Sequence, residues 1–267
     1  MARKPSTSSF RKSHRQTPDE GVRGYAVKIK NPLQGKVALV TGATQGIGLA
    51  IARALAVEGC HLAVCGRNQS RLRQIQTELS RKKVRVLAVA CDIRDPQCVQ
   101  EMLKAVRREF GHVAILVNNA GIAHPNMLVN QLPVKQWNEV IATNLTGMFL
   151  VTHAALPLMK RGAIIVNNLS IAAKRVFPGS SAYNASKHGA LGFTNTLREE
   201  LRDRGIRVIA FLPGATDTAL WDVFWPEAPR KKMVRPATVA QALVNALKLP
   251  PESTIEELSI LPAAGTL

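Results

Sequence analysis

Apolar positions along this chain fall into two alternating kinds of run. Short continuous ones are KVALV, HLAVC, VLAVA, AILVN, AIIVNN and VIAFLP, and all but VLAVA meet a Gly, Asn or Pro at one end. Longer ones recur every three or four positions. The first kind reads as strands buried on both faces of a parallel sheet, the second as helices with one apolar stripe. The pattern predicts a strand at GKVALV, a helix over LAIARALAVEG, a strand at 61–67 and a helix over 70–82. A strand at 84–90, a helix from Pro96 to about Phe110, and a strand with its turn at 114–121 follow. Helical spacing then runs from Val134 to Lys160, before a fifth strand at AIIVNN and a helix ending near Arg204. A sixth strand at 206–214, a helix over 237–248 and a short strand at 257–263 complete the chain. Strand and helix alternate throughout, so the expected fold is α/β, a doubly wound parallel sheet in a single domain.

Three places depart from that alternation. Residues 1–34 are rich in Ser, Pro, Arg and Lys, with YAVKIK (25–30) as a short alternating stretch. They are expected to form a basic, flexible extension, with the folded domain spanning 35–267. Asn144 sits inside the helical run, where Asn is a poor interior residue, and it marks a local perturbation with a polar task. Residues 215–236 have no single period and hold two of the three tryptophans, which is expected of a lid or binding loop. Leu220, Trp221, Val223, Phe224 and Trp225 there either form a partly apolar pocket or pack on the core or another subunit.

Composition narrows the class. With 267 residues and 46% apolar content, the chain can bury a large core. No apolar run approaches the ~18 residues of a membrane span, and the N-terminus lacks the apolar stretch of a secretory signal. Cys60, Cys65, Cys91 and Cys98 show no metal-type pairing and read as reduced thiols, so a cytoplasmic protein without a metal is expected. Net charge is +18, with nine Lys/Arg against two acids in residues 1–36. Such a field favours polyanions. Aromatic interleaving for base stacking is lacking, so nucleic acid is not an expected partner.

The candidate chemistry lies at the strand ends. The first strand runs into TGATQGIG (41–48) and then a helix. In that setting Gly42 permits a tight turn, Gly46 and Gly48 admit close approach of backbone and pyrophosphate, and the helix N-terminus offers amides to phosphate. At the end of the second strand, where an acidic residue would accept from a ribose 2′-hydroxyl, stand Gly66 and Arg67; a guanidinium suits a 2′-phosphate. Asp92 ends the third strand, placed to contact adenine or to cap the next helix. Ser170 ends the fifth strand. Thirteen residues on, Tyr183 and Lys187 are one helical turn apart. An ammonium beside a phenol favours the phenolate, so Lys187 is expected to lower the Tyr183 pKa. Ser, Tyr and Lys together can bind a carbonyl oxygen, protonate it and pass the proton on.

With these residues in hand, residues 35–262 resemble the short-chain dehydrogenase/reductase family. The resemblance rests on TGATQGIG, NNAG (118–121), Asn144 in NLTG, Ser170, YNASK (183–187) and PGATDT (213–218), in matching order. It implies a seven-stranded Rossmann sheet and an Asn144–Ser170–Tyr183–Lys187 tetrad. Tyr183 would be general acid/base, Ser170 would hold the substrate oxygen, Lys187 would also bind the nicotinamide ribose, and Asn144 would hold a relay water. The turn residues Gly42, Thr44, Gln45, Gly46, Ile47 and Gly48 would cradle the cofactor. Asp92 and Ile93 would meet adenine, and Asn119, Ala120 and Gly121 the adenosine ribose. Pro213, Gly214, Thr216 and Thr218 would lie at the nicotinamide carboxamide. The implied activity is NADP(H)-preferring interconversion of a secondary alcohol and a ketone, by a homodimer or homotetramer acting on a small carbonyl or alcohol substrate. One departure is Gln45, where many NADP-using relatives carry a base; Arg67, helped by Thr44, is then the main candidate for the 2′-phosphate. A non-catalytic nucleotide-sensing or scaffold protein is the rival expectation.

Overall fold

The computed structural model describes Met1 and residues 31–265; the basic stretch before residue 31, YAVKIK included, and residues 266–267 lie outside the described residues. Seven strands form one parallel sheet: β1 Val37–Thr41, β2 His61–Gly66, β3 Val86–Ala90, β4 Ile115–Asn118, β5 Ile164–Asn168, β6 Arg207–Pro213 and β7 Glu257–Ile260. Their order is β3-β2-β1-β4-β5-β6-β7. The direction of winding reverses between β1 and β4, and a crevice opens at the carboxyl ends of the strands at that point.

The helices are α1 Gly46–Val57, α2 Gln69–Ser80, α3 Pro96–Phe110, α4 Val134–Ile141, α5 Gly147–Ala155, α6 Ser181–Leu201, α7 Trp221–Phe224 and α8 Pro236–Leu247. Alternate strand residues feed two cores. Ala38, Val40, Val117 and Val166 pack with Ile51 and Leu55 of α1, Leu72 of α2 and Leu243 of α8. Val37, Leu39, Leu116 and Ile165 pack with Met102 of α3, Val151 of α5 and Leu197 of α6 on the other face. Continuous apolar runs were required because both faces are covered.

Local signals set several boundaries. Pro96 opens α3, the Asp95 carboxylate accepts from the Gln97 amide, and Gly111 closes the helix at φ 78°. Asp95, not Asp92, is therefore the helix cap. The run from Val134 is interrupted by a π-helical turn at Ala142–Thr146 centred on Asn144. Asn144 is fully buried; its Oδ1 accepts from the Ile122 amide at 2.8 Å and its Nδ2 donates to the Ile122 carbonyl at 2.9 Å. A widened turn is the form in which a helix carries such a side chain inward. Val134–Leu158 is long and apolar enough to cross a membrane by length and composition, yet Val140, Met148, Val151 and Ala155 of this run are buried within the fold.

Folded structure starts earlier than Gly35. Leu33 is fully buried and its carbonyl accepts from Cys60 Sγ at 3.3 Å. Asn31 Nδ2 donates to the Glu58 carboxylate at 2.7 Å and to the Glu58 carbonyl at 3.1 Å. Residues 31–34, expected in the extension, thus pack on the end of α1 because one Leu and one Asn give them an apolar and a polar anchor. Leu33→Ala should cost about 2–5 kcal/mol, the range for emptying a buried Leu site. Calorimetry should then record a Tm lower by roughly 5–15 °C. A shift below about 2 °C would show that this segment is not held in solution.

Candidate active site

The glycine turn is fastened before it meets any ligand. Thr41 Oγ1 accepts from the amides of Asn119 at 2.9 Å and Ala120 at 3.0 Å, which joins the ends of β1 and β4. Gly42 has φ +62°, and a Cβ there would stand 2.7 Å from Ala120 Cα. Only glycine fits both demands. Gly42, Thr44, Gln45, Gly46 and Ile47 line a cleft of about 810 Å³ that follows the crevice. Gly48 lies behind it: a Cβ would meet the Gly42 carbonyl oxygen at 2.4 Å, so this glycine serves the close approach of helix and strand. The Gln45 side chain caps none of the first-turn amides of α1.

At the adenosine end, Arg67 is exposed, lines the cleft and makes no hydrogen bond or ion pair with the described residues. Asp92 and Ile93 line the same end. The Arg94 guanidinium donates to both Asp92 oxygens, at 2.9 and 2.5 Å, and holds this carboxyl below the usual range. Sequence reasoning missed Arg71. It sits in the first turn of α2 and its Nη1 donates to Gln45 Oε1 at 2.6 Å. A base absent from the glycine turn is thus brought beside it in space. The signal was its place in the first turn of the helix that starts just past an Asn68 cap, beside the end of β2.

Asn119, Ala120 and Gly121 form the cleft wall between its two ends. Asn119 Nδ2 donates to the carbonyls of Thr41 at 2.9 Å and Gly42 at 3.1 Å, and its Oδ1 accepts from Asn168 Nδ2 at 2.8 Å. Asn168 Oδ1 is buried without a partner among the described residues.

Ser170 follows β5 by two residues, and its Oγ accepts from the Ala172 amide at 3.1 Å. Tyr183 on α6 lines the cleft together with Ser170, close enough for Ser170 to favour the phenolate. Lys187 is 4% exposed; its Nζ donates to the Asn168 carbonyl at 3.2 Å and lies 5.5 Å from the centre of the Tyr183 ring. The expected lowering of the Tyr183 pKa is not what this arrangement gives. Burial pushes the phenol up, and the neighbouring Ser170 only partly offsets it. The ammonium is addressed to a backbone carbonyl rather than to the hydroxyl. Burial also brings the Lys187 pKa down to about 8. Asn144 stands behind the cleft wall with its side chain committed to Ile122 and, at 3.0 Å, to Ser186 Oγ.

The far end is built by Pro213, Gly214, Thr216 and Thr218, all on the cleft. Thr216 pairs with Val234 as an isolated parallel bridge, which fixes the base of the 217–233 loop. Arg230 ties the loop internally, donating to Asp217 and to the Thr218 carbonyl, each at 2.7 Å, and to Asp222. Leu220, Trp221, Val223, Phe224 and Trp225 face the cleft rather than the core. The Phe224 ring centre is 6.5 Å from that of Tyr183.

These residues fit a dinucleotide: an uncapped helix N-terminus behind a glycine turn, a buried amide oxygen lacking a partner, and a trough spanning the crevice. The family model for short chain dehydrogenases matches residues 36–228. The chain belongs to the short-chain dehydrogenase/reductase family. It is 35% identical to sulfoacetaldehyde reductase 2 of Chromohalobacter salexigens over 237 residues, 85% of this chain and 94% of that one. Among solved structures it resembles the alcohol dehydrogenase of the archaeon Thermococcus sibiricus complexed with 5-hydroxy-NADP (TM-score 0.82, 32% identity, 88% and 99% of the two chains). It also resembles the 3-ketoacyl-(acyl-carrier-protein) reductase of Brucella melitensis complexed with NADH (TM-score 0.77, 30% identity, 85% and 97%). As a short-chain dehydrogenase/reductase the chain is an NAD(P)-dependent oxidoreductase acting on CH–OH groups. Relatives that are reductases and dehydrogenases do not favour the scaffold expectation.

The buried lysine carries a stability consequence. Unfolded, a Lys holds its proton up to about pH 10.4; folded, Lys187 releases it near 8. Below pH 8 both states are charged and the folded state bears the whole desolvation penalty. Between about pH 8 and 10.4 the unfolded state binds more protons, so this group's contribution to stability rises with pH. Lys187→Met should therefore raise the Tm at pH 7, and the gain should shrink as pH climbs past 8. A variant less stable than wild type at pH 7 would show that the ammonium holds the fold together.

Proposed function

We propose that this protein is an NADP(H)-dependent oxidoreductase interconverting a secondary alcohol and a ketone, with Tyr183 as general acid/base. The observation that carries the reading is Tyr183 beside Ser170 on the cleft, with the buried Lys187 Nζ 5.5 Å from the centre of the tyrosine ring. A substrate carbonyl oxygen would take the place between the Ser170 and Tyr183 hydroxyls. When bound, the reduced nicotinamide supplies hydride to the carbonyl carbon. As charge develops on the oxygen, Ser170 donates a hydrogen bond and Tyr183 transfers its proton, giving the alcohol and a phenolate. A phenol kept neutral by burial suits the donor role. Lys187, charged at neutral pH, stabilises the phenolate as it forms. In the oxidative direction the phenolate takes the proton back.

Gly42, Thr44, Gln45, Gly46 and Ile47 would hold the pyrophosphate against α1, with Gly48 allowing that approach. Asp92 and Ile93 would border adenine, and Asn119, Ala120 and Gly121 the ribose. Pro213, Gly214, Thr216 and Thr218 would border the carboxamide. Asn144 would position α6 and the relay from behind. The preference for NADP(H) is supported by Arg67, exposed at the cleft end without an acidic competitor on β2, and by Arg71 beside Gln45. The apolar lid favours a carbonyl substrate with an apolar portion. Assembly as a homodimer or homotetramer is supported by the exposed Trp137 on α4 and Phe149 on α5.

Two experiments test the proposal. A carbonyl panel read by NADPH consumption should show Tyr183→Phe slower than wild type by at least ~100-fold, the general-acid scale, with NADPH affinity largely kept. Near-wild-type turnover in that variant would remove Tyr183 from the chemistry. In the second, kcat/KM for NADPH should exceed that for NADH by about tenfold or somewhat more, as one charge-assisted contact gives. Arg67→Asp should invert the ratio. An unchanged ratio would leave Arg67 in solvent.

A further inference from the structure

The wall of the cleft between β5 and α6 is made by residues 171–180. Beyond the single turn at Ile171–Ala173 it has no regular structure, so its backbone groups must each find a partner individually. Several of them end on one side chain. Asn184, 8% exposed, stands on α6 directly after Tyr183. Its Oδ1 accepts from the Phe177 amide at 3.2 Å and from Ser180 Oγ at 2.5 Å. Its Nδ2 donates to the carbonyls of Ala172 at 3.1 Å and Arg175 at 2.7 Å. An amide side chain has two donor hydrogens and an oxygen with two lone pairs, so nothing of Asn184 is left over.

The wall continues into the lid. The Gly179 carbonyl accepts from the Met127 amide at 3.0 Å, and the neighbouring Asn126 amide donates to the Phe224 carbonyl at 3.2 Å. Gly179 has φ +80° and lies so close to Asn126 that a Cβ would stand 1.6 Å from its Oδ1. Wall, 126–127 segment and lid are thus joined in one hydrogen-bonded series, whose Phe224 ring lies 6.5 Å from that of Tyr183. Lys174 of the wall also pairs with Glu257, an exposed ion pair that is weak by comparison. We infer that Asn184 is a positioning residue that sets the substrate wall, and through it the lid, against Tyr183, and so governs which carbonyl compounds reach that hydroxyl. The inference rests on the reading of this cleft as a carbonyl site. Asn184 touches neither the reacting oxygen nor the glycine turn. Its loss should therefore fall on substrate binding and leave cofactor binding alone.

The test uses the full chain with Asn184→Ala and Asn184→Asp, the latter keeping shape and acceptor but lacking both donor hydrogens. Three readouts are taken: tryptic cleavage after Lys174 and Arg175, NADPH affinity by fluorescence, and KM against kcat for substrates of different size. Cleavage should quicken and KM should rise, each by on the order of tenfold, with kcat falling less than KM rises and NADPH affinity within about twofold of wild type. The ratio of kcat/KM between bulky and small ketones should also change. Unchanged cleavage together with unchanged KM would overturn the inference, as would a fall in kcat at constant KM or a loss of NADPH affinity. Should both Asn184 variants fail to fold, Ser180→Ala, which removes one of the four bonds, should show the same shifts in smaller measure; wild-type behaviour there would overturn it equally. If the wild type turns over no carbonyl compound, the proposed function fails, while the cleavage rates still decide whether Asn184 holds the wall.

Discussion

A cation withdrawn from water has to be met by the chain's own oxygens, and that demand organises this site. Lys187 is buried, and the acceptor it finds is the backbone carbonyl of Asn168, with the Tyr183 ring as a second, softer partner. For that carbonyl to be available the chain must leave the sheet just past Asn168. The same departure delivers Ser170 to the cleft. The Asn168 side chain then reaches Asn119, whose amide holds the carbonyls of Thr41 and Gly42. One connected set of amides therefore links the lysine to the glycine turn across three strands. Beneath it Asn118 donates to Asn167 and Thr152, and Asn167 donates to Thr194, so the buried polar groups of β4 and β5 brace one another.

The π-helical turn secures the other side of α6. Asn144 reaches Ser186, whose hydroxyl donates to the Tyr183 carbonyl at 2.7 Å. Helix α6 is thus held to the 142–146 turn on one side and to the end of β5 on the other. Such bracing fits a site where a hydroxyl must be kept within a few tenths of an ångström of its working position.

The sequence displayed most of the sheet plainly because buried parallel strands admit almost nothing but apolar residues, and most were bounded by glycine, proline or asparagine. Asn144 was legible as a disturbance since propensity and periodicity disagreed there, although the kind of disturbance depended on Ile122, twenty-two positions away. The tetrad and the glycine turn were legible from type and spacing. What stayed hidden depends on distance in space. Arg71 meets Gln45 only after α1 and α2 have packed side by side. The sign of the Tyr183 shift turned on burial, which no local pattern displays, and on the direction in which the ammonium points. Residues 31–34 looked like more of the basic stretch until Leu33 had a core to enter.

The way Asn184 holds its wall has a consequence for how such a protein can change over generations. Its partners are three main-chain groups and one hydroxyl, none of which depends on the side chains at 176, 177 or 178. Those positions can drift or be randomised in a library while the loop keeps its path beside the tyrosine. Selectivity is in that sense written at two levels: the framework around Asn184 fixes where the wall stands, and the side chains facing the cleft decide what fits against it.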